Sequence, residues 1–168
     1  MGEMISSFRD LRVYKMAFEL QQELFLASRE FPQAERYSLT DQVRRSSRSI
    51  GANIAEAWQK RRYSAHFVSK LTDADGEQAE TQHWITTAVA CHYLSEDKCQ
   101  AMMEKCLRIG QMLGAMMAHP EKFRPPSPAL RPQSSALGPP SPALSPRPSV
   151  LSPRPSAPGP RPSVLRPQ

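Results

Sequence analysis

Glu80 and His83 stand three residues apart, the ExxH spacing by which carboxylate-rich helical bundles hold a pair of metal ions. Such a centre needs a second ExxH and two further inward glutamates, and the chain has no second ExxH. Glu80 and His83 also flank the apolar-stripe position Thr81 on opposite sides. Cys91, Cys99 and Cys106 form an odd set without CxxC spacing, and the adjacent Cys91 and His92 point about 100° apart on a helix. The thiols therefore read as small buried hydrophobes. No Ser-His-Asp order, phosphate-binding loop or GxGxxG occurs, so the expectation is a protein without catalytic residues, metal, cofactor or small-molecule substrate.

Basic residues are the other candidates. Arg44 and Arg48 share a helix face that Arg45 borders, and Lys60, Arg61 and Arg62 close the same segment. Residues 40–62 set these six bases against only Asp41 and Glu56, whereas Asp73, Asp75, Glu77 and Glu80 make the next segment acidic. Two readings stand side by side. The basic face could bind nucleic-acid phosphates, with affinity falling as salt rises. It could instead pair with the acidic segment, within or between subunits, while Lys60–Arg62 cap a helix C-terminus. Asn53 and Glu56 lie beside Ile50 and Ile54; partly buried polar groups need partners, which suggests a hydrogen-bond network or an oligomer contact.

Four periodic stretches must position these residues. Val13, Ala17, Leu20, Leu24, Ala27 and Phe31 make one helical stripe, widened by Leu11, Tyr14, Phe18 and Phe25. Ser7 and Asp10 resemble a capping box at its start, and Pro32 stops it. The second stripe opens at Ser38, with Asp41 three residues on, and comprises Leu39, Val43, Ser46, Ile50, Ile54 and Ala57. The third runs from Ser64 to about Leu94 through Phe67, Leu71, Ala74, Gln78, Thr81, Ile85 and Ala88. Gly76 in its middle costs about 1 kcal/mol against alanine, which predicts a close helix approach there. The fourth opens at Ser95 with Glu96 and Asp97 in its first turn, carries Cys99, Met102, Cys106, Ile109, Leu113 and Met116, and stops before Pro120. Short connections force antiparallel neighbours, so the expected fold is all-α: an antiparallel up-down four-helix bundle over residues 8–120, preceded by a flexible segment at 1–7.

The remainder, residues 121–168, differs in kind. Of 17 prolines all but Pro32 and Pro120 follow Arg124, and Pro-Arg-Pro-Ser recurs at 146–149, 153–156 and 160–163. A disordered, extended tail is expected, either a basic proline-rich ligand or a repeat without a role. Taking the six arginines from Arg124 onward out of 22 basic residues leaves 16, against 16 acidic ones, so the net charge of +6 belongs to the tail. No apolar h-region opens the chain and no apolar run suits a membrane, and unpaired thiols suit a reducing cytoplasm.

Phe8-Arg-Asp-Leu-Arg-Val-Tyr14, Tyr37-Ser-Leu-Thr-Asp-Gln-Val-Arg-Arg45, Ser49-Ile-Gly-Ala-Asn-Ile-Ala-Glu56, Lys70-Leu71 and Glu80-Thr-Gln-His-Trp84, in that order, resemble the bacterial four helix bundle family, also called the 23S rRNA intervening-sequence proteins. Ala57 stands where the family usually has glycine. The resemblance covers about residues 8–118 and implies a bundle encoded within rRNA insertions. A related branch comprises accessory proteins of diversity-generating retroelements, pentameric barrels that bind a reverse transcriptase and nucleic acid through basic surfaces. By that likeness Arg44, Arg45 and Arg48 are candidate nucleic-acid residues and Asn53 and Glu56 fold or assembly residues; the basic run adds Lys60, Arg61 and Arg62 to the first set, and Gly76, Glu80 and Trp84 are further structural or assembly candidates. The implied function is a non-enzymatic, homo-oligomeric RNA-binding or RNA-processing accessory protein. The alternative is an interaction scaffold, such as a reverse-transcriptase accessory subunit, that touches no nucleic acid.

Overall fold

The computed structural model describes residues 5–126. The expectations for the repetitive tail fall on residues outside that range, as does most of the expected N-terminal segment. Four helices form the bundle: α1 (Arg12–Ala27), α2 (Leu39–Lys60), α3 (Ser64–Ala90) and α4 (Glu96–Ala118). Each packs on two neighbours in the ring α1–α2–α3–α4, the arrangement that short connections between antiparallel helices impose. No helix among the described residues is long and apolar enough to cross a membrane.

The stripes lie where their periodicity puts them. All six second-stripe residues and all seven third-stripe residues are buried, with Phe67, Leu71, Ile50, Ile54 and Ile85 wholly so. Burying each such side chain contributes about 1.5–3 kcal/mol. Two polar members of the stripes satisfy each other: the Thr81 hydroxyl lies 3.0 Å from Ser46 Oγ and 2.8 Å from the Glu77 carbonyl oxygen. That pair pins α2 to α3 inside the core.

Helix ends differ from expectation. The Ser7–Asp10 capping box forms, but it closes a 3₁₀ turn over Phe8–Asp10, and extended backbone at Leu11 separates that turn from α1. The helix also ends at Ala27, a turn short of Phe31, with Ser28 as its C-cap. Phe31 still reaches the core from the loop and lies against Tyr93, ring centroids 5.8 Å apart. Ser38 makes no side-chain cap for α2; Glu35 accepts from both the Ser38 hydroxyl and the Leu39 amide. This acid precedes the helix, whereas a capping box would use Asp41, three residues after Ser38.

At its far end α3 stops at Ala90, not Leu94. His92 takes the left-handed conformation (φ 59°), donating its N–H to the Val89 carbonyl, and the Tyr93 N–H bonds to the Ala88 carbonyl at 2.8 Å. This is a Schellman ending with histidine at the position glycine usually holds. Cys91 falls in that turn and is exposed, and Cys99 is half-buried; only Cys106 is the buried hydrophobe expected of all three, its thiol pushed up to about 12 by burial. Gly76 is exposed, and a Cβ there would touch nothing within 4 Å, so it marks no close approach. Gly110 does: a Cβ there would lie 3.4 Å from Asp75 Oδ1 and 3.6 Å from Gln78 Oε1. After α4 the chain turns back, and the Phe123 ring packs on Phe67 at 5.5 Å.

Candidate nucleic-acid interface

A helix advances about 100° per residue, so consecutive arginines on α2 face different neighbours. Arg44 leans over α1. Its Nε donates to Ser28 Oγ at 2.7 Å, and its guanidinium carbon lies 5.0 Å from the Phe25 ring centroid. Arg48, one turn on, stacks over the same ring at 5.8 Å. Ser28 in turn donates to the Phe25 carbonyl, which fixes the anchor that holds Arg44. Burial pulls the Arg44 guanidinium below the ordinary arginine range, and repulsion from Arg48, Arg29 and Arg36 pulls it further. Among the described residues the charges that perturb Arg44 are positive. Among the described residues none of Arg29, Arg36, Arg44 and Arg48 forms an ion pair.

Arg45 faces the other way. Its terminal nitrogen lies 2.6 Å from Glu80 Oε1 on α3, and the same oxygen accepts from Trp84 Nε1 at 3.0 Å. Lower on that flank, Glu56 bonds Lys60 at 2.5 Å and Lys70 at 3.1 Å, and Lys70 continues to Asp73 at 3.0 Å. The Lys60 and Lys70 ammonium groups hold the Glu56 carboxyl below its usual range. Glu56 is therefore an exposed pairing node on the α2–α3 surface and lies outside the apolar seam where a partly buried role was expected. Arg61 turns back over its own helix end, donating to the Trp58 carbonyl at 2.6 Å with its guanidinium 4.0 Å from the Trp58 ring centroid. Arg62 is exposed.

The six bases thus divide. Arg44 and Arg48 join a cationic cluster on the α1–α2 face, Arg45 and Lys60 are neutralised across α2–α3, and Arg61 caps a helix. Arg29 and Arg36, which complete the cluster, come from the α1–α2 loop, and α2's own spacing holds no trace of them. The one available signal was Phe25, an aromatic on the edge of the first stripe one position away from its strict repeat.

Asn53 spends its amide on the Ser49 carbonyl of its own helix at 3.0 Å. With Thr72, Asp73, Gly76, Glu77 and Glu80 it lines a shallow groove between α2 and α3. Glu77 Oε2 is buried without a hydrogen-bond partner among the described residues. Burial and the neighbouring Glu80 push its carboxyl up, with Arg45 opposing. His83 is exposed and meets the Trp84 ring edge-on at 4.7 Å, while Glu80 is occupied by Arg45 and Trp84. Among the described residues no three His, Cys, Asp or Glu side chains converge as metal ligands would.

Comparison with known proteins places the bundle. A family model described as 23S rRNA-intervening sequence protein matches residues 9–115. A solved structure from Bacteroides thetaiotaomicron VPI-5482, described as a protein with unknown function from the S23 ribosomal protein family, is 23% identical with a TM-score of 0.57; the match covers 63% of this chain and 95% of that one. At that identity the likeness speaks to fold alone. None of the curated proteins compared with the chain matches it.

Proposed function

The chain belongs to the 23S rRNA-intervening sequence protein family, and from that premise we propose that it is a non-enzymatic RNA-binding protein that grips phosphates through Arg29, Arg36, Arg44 and Arg48. One observation carries this reading. Arg29, Arg36 and Arg48 sit within electrostatic reach of Arg44, none of the four forms an ion pair among the described residues, and Arg44 is anchored by Ser28 and Phe25. Gathering like charges is unfavourable unless an anion relieves it, and guanidinium groups match phosphate geometry. A guanidinium fixed by stacking and a hydrogen bond loses little freedom on binding, which favours affinity.

The test is equilibrium binding of RNA to the full chain across a salt series. Replacing Arg44 and Arg48 by alanine should weaken binding about tenfold or more and flatten the dependence of log affinity on log salt by about 0.7–0.9 for each phosphate no longer neutralised. Arg45→Ala, on the paired flank, should leave both quantities unchanged. Equal effects from the two flanks, or none from either, would remove the assignment.

A protein-contact role on the opposite face is favoured by the partnerless Glu77 carboxylate in the Asn53–Gly76 groove. Self-association, which the family resemblance implies, is read by sedimentation of wild type against Glu77→Lys. Assembly through that groove requires the variant to shift the mass.

A further inference from the structure

Beside the arginine cluster lies a cleft that the phosphate reading does not use. Phe8, Tyr14, Phe18 and Gln21 form one wall, Gly51, Ala52 and Ala55 of α2 form the other, and Arg48 lines both cleft and cluster. Its volume is about 260 Å³, under the roughly 300–1,000 Å³ of pockets for drug-sized ligands, so it suits a single flat ring system. The rings are ordered against each other: Phe8 meets Tyr14 edge-on at 4.8 Å, and Tyr14 and Phe18 lie near-parallel (27°) at 6.3 Å. Tyr14 rests directly on the α2 backbone, where a Cβ at Gly51 would stand 3.6 Å from its ring. Phe18 is 47% exposed, an aromatic left half in water, while Val13, Ala17, Leu20 and Leu24 of the same helix are buried.

We infer that this cleft takes an unpaired nucleobase and that the RNA held by the arginine cluster is single-stranded. The inference rests on the phosphate reading above and deepens it. A base and its phosphate are separated by one sugar, and Arg48 joins the two halves of the surface at that scale. An exposed ring supplies the stacking platform that single-strand binders use. Gln21 and Arg48 at the rim supply donors, and Gln21 an acceptor, for the base edge. Charge excludes the other familiar occupant of aromatic clefts: a quaternary or methylated ammonium group would meet the Arg48 cation with no acid among the lining residues. A duplex cannot use the cleft, because its bases are already stacked and paired.

The experiment compares the full chain with its Phe18→Ala, Phe18→Leu and Phe18→Trp variants, using a fluorescent single-stranded oligoadenylate, an oligomer of equal length with abasic sugars, and a duplex RNA. Phe18→Ala should weaken the oligoadenylate about 5- to 150-fold, the range set by removing one base stack. Its affinity for the abasic strand and the duplex, and its salt dependence, should not change. Phe18→Leu should weaken binding as much as alanine does, and Phe18→Trp should restore it. Wild-type affinity in Phe18→Ala overturns the inference, and wild-type affinity in Phe18→Leu overturns stacking in favour of a plain apolar contact with the RNA. The two levels separate cleanly. Weakened binding on Arg44/Arg48 replacement with no effect at Phe18 sinks the cleft alone, whereas indifference to the arginines sinks both.

Discussion

Arg44 and Arg45 are consecutive residues of one helix, and their surroundings could hardly differ more. Arg44 is drawn onto Phe25 and Ser28 among three other arginines. Arg45 lies against Glu80, which Trp84 also bonds. The contrast teaches that a basic run on a helix is not one surface. The α1–α2 flank gathers arginines that form no ion pair among the described residues, whereas the α2–α3 flank pairs its charges through Arg45–Glu80 and Lys60–Glu56–Lys70–Asp73. Pairing, one of the two readings of the six bases, describes the α2–α3 flank; phosphate binding is our proposal for the other.

The sharpest break of this comparison is charge reversal on both flanks. Arg44→Glu should reduce RNA affinity more than the alanine changes do, by about 100-fold at low salt, because repulsion replaces attraction. Arg45→Glu should reduce it far less, and a titration of both variants under one buffer decides. The next effect concerns stability on the paired flank. Thr81→Val removes the buried hydroxyl that meets Ser46, leaving Ser46 Oγ only a 3.5 Å approach to the Val43 carbonyl. Urea unfolding should show a destabilisation of about 1–3 kcal/mol.

Gly76→Ala should gain about 1 kcal/mol in the same assay, since the site is open and helical. A loss instead would mean that something packs on the groove. Glu77 gives a pH signature. Its carboxyl titrates higher in the fold than the ordinary 4.5, so its contribution favours the fold below that value and fades as pH rises through the folded one. Relative to wild type, Glu77→Gln should therefore melt progressively higher between pH 4 and pH 7; a constant difference would assign the effect to packing. Smallest of all, Arg45→Ala should change stability by less than about 1 kcal/mol, because both partners are substantially exposed.

Core and site were legible to very different depths. Thr81, Gln78 and Ser46 could be placed in the core although polar, because the stripe on either side of them keeps helical phase and the whole stripe must turn inward. Helix ends were less legible. Phe31 continues the stripe of α1 but reaches the core from a loop, since a periodicity test cannot distinguish a helix from a turn that happens to return the side chain. Gly76 and Gly110 make the same point: glycine marks permission for close approach, and only the neighbour across the gap decides whether it is used.

By itself the order of residues determined four amphipathic helices, their antiparallel sequence and most of the buried side chains, because these follow from local periodicity and the requirement to remove apolar surface from water. It also separated a neutral bundle from a basic, proline-rich remainder. The tertiary structure alone decided which charges cancel. Arg29, Arg36, Arg44 and Phe25 come from different elements, as do Phe8, Tyr14 and Gly51, and their meeting depends on how helices rotate against one another in packing. Electrostatics and stacking act through space over a few ångströms, and sequence separation carries no record of that distance.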